Sequence, residues 1–255
     1  MPRQTSNEIW NRDAAQNYDS LGEAMFDPQL LDDTTARLVE LADGGPACEF
    51  AIGTGRVAIP LQARGVPVTG IEWSPDMVER LREKVDEATL PVVMGDMSTT
   101  RVLPAGAPGE FSLVYLVFNT IANLLTQADQ VACFRNAAAH LRPGGRFVIE
   151  LWVPKLQSTH GAVGAEVFTV EDGYIGLDVM DPVTQQLVSH HFRFGDDGGV
   201  SLSLSPHRYV WPSELDLMAE LAGFELESRH ADWTGTPFTH ESRGHVSVYR
   251  LPAGA

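Results

Sequence analysis

An α/β fold built on a parallel sheet, with an antiparallel addition late in the chain, is predicted by three features of the 255-residue sequence. Short apolar runs alternate with helical stretches from Pro46 to Trp152, the rhythm of parallel strands joined through covering helices. The first run, Cys48-Glu49-Phe50-Ala51-Ile52, turns through Gly53 and Gly55 into a helix, the kind of junction at which such sheets bind ligands. Beyond Pro154 the rhythm changes to β-rich segments separated by turn signals such as Asp196-Asp197-Gly198-Gly199.

In order, residues 7–26 place Ile9, Trp10, Ala14, Tyr18, Leu21 and Met25 on one helix face, and 28–41 reads as a second helix stopped by Asp43-Gly44-Gly45-Pro46. After the first strand come a helix over 56–63, a strand over 66–71 and a helix running from Ser74-Pro75-Asp76 to 87, where serine caps and proline fits the first turn. A short strand at Val92-Val93-Met94, another over 111–117, an amphipathic helix over 126–141 closed by Arg142-Pro143-Gly144-Gly145, and a fifth strand over 146–152 follow. Strands are then expected over 165–170, 174–180, 187–194 and 200–209, a helix capped by Ser213, and closing strands over 224–229 and 245–251. The chain thus divides into an N-terminal helical cap (1–45), a ligand-binding core (46–153), an antiparallel insertion (154–212) and the C-terminal part of the core (213–255), one domain overall.

Hydrophobic content of 44% and charged content of 20% are ordinary globular usage and exclude a disordered chain. A formal net charge of -16 repels polyanions, so no nucleic-acid partner is expected. No apolar run approaches the roughly 20 residues a bilayer requires. Met1-Pro2-Arg3-Gln4-Thr5-Ser6 also lacks a signal-peptide core, so a cytoplasmic chain without membrane contact is expected. Cys48 and Cys133 read as buried packing residues. The expected partner is a small-molecule substrate, with homo-oligomerisation left open.

Gly53 and Gly55 remove side chains where the chain turns sharply and a ligand approaches the backbone. Glu72 ends the second strand, where an acid accepts hydrogen bonds from ribose hydroxyls, and Gly95-Asp96-Met97 brings another carboxylate to the same sheet edge. Three such edges in order make a nucleoside-shaped cleft.

Glu49 to Arg56, Gly70-Ile71-Glu72-Trp73-Ser74, Gly95-Asp96-Met97 and Leu141-Arg142-Pro143-Gly144-Gly145 resemble successive motifs of the class I S-adenosylmethionine-dependent methyltransferases. The resemblance implies a Rossmann-like sheet with helices on both faces and S-adenosylmethionine as cofactor, without a metal. It implies that the loop of Glu49, Ala51, Gly53 and Gly55 holds the methionyl part, Glu72 with Trp73 beside it the ribose, and Asp96 the adenine amino group, with Met97 on the adenine face. Ala51 departs from the pattern, which more often has glycine there.

A nicotinamide-dependent oxidoreductase also fits a glycine turn followed by an acid, but Ala58 stands where its third glycine is expected. A non-catalytic ligand-binding protein on the same fold is the alternative of another class.

The acceptor is expected over the carboxyl end of the fourth strand. There Phe118 is a candidate to pack near the sulfonium, and Asn119 and Asn123 to orient a polar acceptor; the alternative is core for Phe118 and turn residues for the asparagines. Tyr18 resembles the tyrosine that closes over the methyl group in small-molecule N-methyltransferases of natural-product pathways. Resemblance to the same enzymes gives Trp152 a place in the acceptor pocket under an antiparallel lid, the alternative being simple packing. Alternation puts Glu150 on the face of Trp152, and His207, Tyr209 and Trp211 on the face opposite Arg208 and Val210. Tyr209 and Arg208 are taken as substrate-binding candidates, Arg208 for an acidic group, unless it is an exposed strand arginine. His190 and His191 must point to opposite faces, and no histidine stands out as a base, which favours an amine nitrogen over an oxygen or aromatic carbon acceptor.

Overall fold

The computed structural model describes residues 12, 15, 18, 27–104, 106–154, 164–195 and 197–253. Of the first expected helix, Arg12, Ala15 and Tyr18 are helical; Ile9, Trp10, Ala14, Leu21 and Met25 lie outside the described residues, as does Asp196. Helix α1 (Pro28–Ala42) starts where the Asp27 carboxylate accepts from the Gln29 N–H at 2.8 Å, and ends where Asp43 turns left-handed. Then follow β1 (Ala47–Phe50), α2 (Ala58–Ala63), β2 (Val68–Glu72), α3 (Pro75–Arg82), β3 (Val92–Met94), β4 (Phe111–Leu116), a 3₁₀ turn (Thr120–Asn123), α4 (Gln127–His140) and β5 (Leu141–Trp152). After β5 come β6 (Gly164–Glu171), β7 (Tyr174–Asp181), β8 (Gln186–Phe194), β9 (Val200–Arg208), α5 (Pro212–Leu221), β10 (Glu225–His230) and β11 (Gly244–Arg250).

Seven strands form one sheet in the order β10-β11-β5-β4-β1-β2-β3, parallel except for β11, which runs antiparallel to both its neighbours. Strands β1 and β4 lie at its centre and are buried along their whole length, as parallel strands covered on both faces must be. Alternate residues feed two cores. Cys48, Phe50, Phe147 and Ile149 join Phe134 of α4 and Leu215 of α5, while Ala47, Leu113, Tyr115 and Val148 join Leu38 of α1 and Leu61 of α2. Both cysteines are free and buried. No helix among the described residues is long and apolar enough to cross a membrane.

The departures from the sequence reading are local. Helix α2 begins at Ala58 because residues 51–57 are spent on turns. Strand β5 begins at Leu141, which pairs with Phe111, so Arg142-Pro143-Gly144-Gly145 falls inside a strand rather than between elements. Ser213 does not cap α5. Trp211, extended ahead of Pro212, takes the cap position without a side-chain bond, and its carbonyl accepts from Glu214 and Leu215.

Strands β6 to β9 form the antiparallel insertion after β5, a second sheet in sequential order. Its last strand is fastened to the main body by Gln130, whose amide donates to the carbonyls of Ile121 at 3.3 Å and Arg208 at 3.1 Å. The Arg208 guanidinium reaches back to the Gln130 amide oxygen and pairs with Glu214 at 2.7 Å, both side chains largely buried. A buried ion pair that loses one partner leaves an uncompensated charge. Arg208→Met is therefore expected to lower stability by about 3 kcal/mol, read as the shift of the urea unfolding midpoint.

Candidate active site

The carboxyl ends of β1 to β4 meet in an open cleft of about 760 Å³, solvent at its mouth included. Its floor is the glycine turn, where Ala51, Gly53 and Gly55 all have left-handed backbone, with φ of 53°, 57° and 81°. Nothing occupies the space where a Gly53 side chain would stand, and that space opens on the cleft. At Gly55 a Cβ would meet Leu81 Cδ1 at 2.4 Å, so this glycine lets the turn close against α3 and lies behind the cleft. Ala51 holds with a methyl group a conformation that glycine takes at lower cost.

Glu72 ties the turn to its neighbour. One carboxylate oxygen accepts from Gly53 N–H and the other from Ser74 N–H, both at 2.8 Å, and the side chain faces the cleft while almost fully buried. Burial raises its pKa, and the Ser74 and Gly53 donors draw it back down. On the third edge, Asp96 Oδ1 accepts from Ser98 N–H at 2.7 Å and Ser98 Oγ–H at 2.6 Å, leaving Oδ2 without a protein donor among the described residues. Asn136 of α4 fixes this loop by donating to the carbonyls of Met97 at 2.9 Å and Thr100 at 2.8 Å. Gly95 is required there because a Cβ would fall 2.0 Å from Thr100 Oγ1.

The exit of β4 is strained. Phe118 and Asn119 are consecutive non-glycine residues in the left-handed region, with φ of 53° and 62°, each costing on the order of 1–3 kcal/mol. Glu150 of β5 holds them, one oxygen accepting from Phe118 N–H at 2.7 Å and the other from Trp233 Nε1–H at 2.9 Å. Asn119 N–H donates to the Glu150 carbonyl at 3.1 Å, and its side-chain oxygen accepts from Trp152 N–H at 2.7 Å. The half-exposed Phe118 ring lies 5.5 Å from the Arg56 guanidinium, across the glycine turn.

The cleft thus brings together Tyr18, Ala51, Gly53, Glu72, Trp73, Asp96, Met97 and Asn123 of the residues singled out in the sequence. Phe118, Asn119 and Trp152 form the adjoining β4–β5 shoulder, and Glu49 lies beneath the turn. The structure places two further candidates away from the cleft. Arg208 is spent on Gln130, Gln185 and Glu214, so its charge is already met. Tyr209 is buried with Met180 and Leu187 against Trp152 and Trp211, and neither residue reaches the cleft lining.

Sequence reasoning passed over Thr120, Leu124 and Met77, which also line the cleft, and the anchoring role of Glu150. An acid one step from the end of the apolar run 147–151 was the available signal for Glu150. His207 was named only for its face. Its Nε2 lies 2.9 Å from Ser205 Oγ, its ring meets Trp152 edge-on at 6.3 Å, and its Nδ1 is buried without a partner among the described residues. Burial pushes its pKa down to about 4, so this imidazole is neutral.

Glu49 is a buried acid whose pKa burial pushes up to about 8, against the lowering effects of the Tyr115 hydroxyl, which donates to it at 2.9 Å, and of Arg56; the Glu72 charge adds to the rise. Folded Glu49 therefore keeps its proton far above 4.5, where the unfolded chain releases it. The stability this confers is complete below the unfolded value and is lost as pH rises toward about 8. Glu49→Gln removes the titration, and urea unfolding should show the variant gaining about 1–3 kcal/mol on the wild type between about pH 5 and pH 8.

Residues 47–145 match a family model described as a methyltransferase domain. The structure superimposes on that of the CcbJ methyltransferase from Streptomyces caelestis with a TM-score of 0.82 and 36% sequence identity, covering 94% of this chain and 96% of that one. The cypemycin N-terminal methyltransferase of a Streptomyces species is 24% identical across 88% of this chain and 98% of its own length. A dTDP-3-amino-3,4,6-trideoxy-alpha-D-glucopyranose N,N-dimethyltransferase of Streptomyces venezuelae is 30% identical across 58% of this chain and 55% of its own. Likeness along nearly the whole chain, joined to the family match over the residues that build the cleft, makes this chain a member of the class I S-adenosylmethionine-dependent methyltransferases.

Proposed function

We propose that the enzyme methylates an amine nitrogen of a small molecule of secondary metabolism, held beside the cofactor at the β4–β5 shoulder. The observation that carries this reading is the lining of the cleft beside that shoulder: Tyr18, Thr120 and Asn123 offer hydroxyl and amide groups, and among the described residues no histidine, lysine or cysteine lines it. An amine needs only to arrive deprotonated, whereas an alcohol or phenol gains from a positioned base. The names of the cypemycin and dTDP-aminosugar relatives, both acting on nitrogen, support the same reading.

The donor set suits the cofactor. Glu72 and Asp96 are acceptors, one for a ribose diol and one, through Oδ2, for an adenine amino group, while Met97 and Leu124 give the base an apolar face. Gly53 admits the methionyl part against bare backbone, and Glu49 supports the turn from below. When bound, S-adenosylmethionine supplies an electrophilic methyl group on a sulfonium. The chain's own task is then alignment and exclusion of water. Tyr18 and Asn123 would orient the acceptor and the Phe118 ring would be available to the cation, while Asn119 fixes the backbone of Trp152, which would wall the acceptor side with the second sheet as a lid.

Two measurements test this. Supplied with S-adenosylmethionine and matched amine and hydroxyl forms of one cyclic skeleton, the enzyme should release S-adenosylhomocysteine with the amine, faster as pH deprotonates it; turnover of the hydroxyl form alone would overturn the reading. Phe118→Ala and Trp152→Ala should each lower turnover on the order of tenfold to a hundredfold while changing S-adenosylhomocysteine affinity by less than about threefold, and the reverse order would remove both residues from the acceptor side.

A further inference from the structure

The Phe118 ring is half exposed and belongs to neither apolar core, so its own packing does not fix where it lies. Its backbone does. A residue with φ of 53° aims its Cβ away from the direction that a right-handed or extended residue gives it, and a non-glycine residue keeps such a φ only where its surroundings impose it. Here the imposing group is Glu150. It stands on β5, level with Val246 of β11, and reaches to the β4 exit to accept from Phe118 N–H at 2.7 Å. Its other oxygen accepts from Trp233 Nε1–H at 2.9 Å, and the described residues offer neither donor another acceptor.

Trp233 is the fixed end of this connection. It lies on the 231–243 link between β10 and β11, buried in the same apolar core as Leu38, Val148 and Val246. Asp232 beside it folds the link, its Oδ1 accepting from Thr234 N–H at 2.9 Å, Thr234 Oγ1–H at 2.7 Å and Thr236 N–H at 3.2 Å. Core, indole, carboxylate and strained backbone thus form one line of contacts that ends at the Phe118 ring. A carboxylate is the side chain such a line needs, because it only accepts and can take one donor on each oxygen. An amide of the same length has a single acceptor oxygen and must turn its NH2 on the second donor.

The geometry points to Glu150 and Trp233 as positioning residues that hold the Phe118 ring toward the cofactor's sulfonium. This rests on the proposed place of Phe118 beside the cation. Titration calorimetry with S-adenosylmethionine and S-adenosylhomocysteine reads it without any acceptor, since only the first carries a positive sulfur. Phe118→Ala should lower the preference for S-adenosylmethionine on the order of threefold to tenfold, and Glu150→Gln by a similar factor, while S-adenosylhomocysteine affinity of Glu150→Gln changes by less than about twofold. Trp233→Phe should lose less of the preference. The double variant Glu150→Gln/Trp233→Phe should climb back to the level of Trp233→Phe alone, because the amide oxygen then serves Phe118 N–H and its NH2 faces no donor. That recovery separates positioning from the charge of Glu150, which the double variant also lacks. Equal weakening of both ligands in Glu150→Gln, or no recovery in the double variant, would overturn the inference. An effective Phe118→Ala beside an unchanged Glu150→Gln would overturn it alone, whereas a Phe118→Ala without effect would remove Phe118 from the cation and the inference with it.

Discussion

The site depends on one buried carboxylate. Taking Glu72 out of water is costly, and the cost is offset because each of its oxygens receives a backbone N–H, one from the glycine turn after β1 and one from the start of α3 after β2. Those donors are among the amide groups that strands and helices leave unsatisfied at their ends, so one side chain satisfies both loops and locks them together. It can do so only because β1 and β2 are parallel neighbours with Phe50 opposite Ile71, which puts Glu72 level with the turn. An oxygen that accepts one N–H retains a lone pair, and the acid that builds the cleft remains able to bind in it.

The other edges follow the same plan. Asn136 reaches from α4 to hold two carbonyls of the Asp96 loop, and Glu150 reaches from β5 to hold the strained residues after β4. Each loop at the carboxyl edge is thus fixed by a polar side chain from another element, and the strain at Phe118 and Asn119 persists because Glu150 and the Asn119 bonds overdetermine it. A preformed cleft of this kind suits a displacement in which the protein contributes alignment more than acid or base.

Much of this was legible in the sequence, and the missing parts share a cause. The order of strands and helices, the glycine turn, Glu72 and Asp96 are local signals, since a strand end followed by a turn announces which side chains reach the sheet edge. Glu150 was not legible as an anchor because its partners, Phe118 and Trp233, are distant in sequence. The partners of Arg208 were not legible for a related reason. Strand alternation says which residues share a face but not which face is turned inward. Along β9 His207 faces Trp152, whereas Arg208 turns to α4 and α5, and only the packed structure distinguishes them.

Titration calorimetry with S-adenosylhomocysteine tests most directly whether Glu72 is the hub of the cofactor site. The wild type should bind with one site per chain, and Glu72→Ala should weaken binding by at least about tenfold, as expected when a charge-assisted hydrogen-bonding group is lost. Wild-type protein that does not bind, or a Glu72→Ala variant that is folded and binds with unchanged affinity, would contradict it.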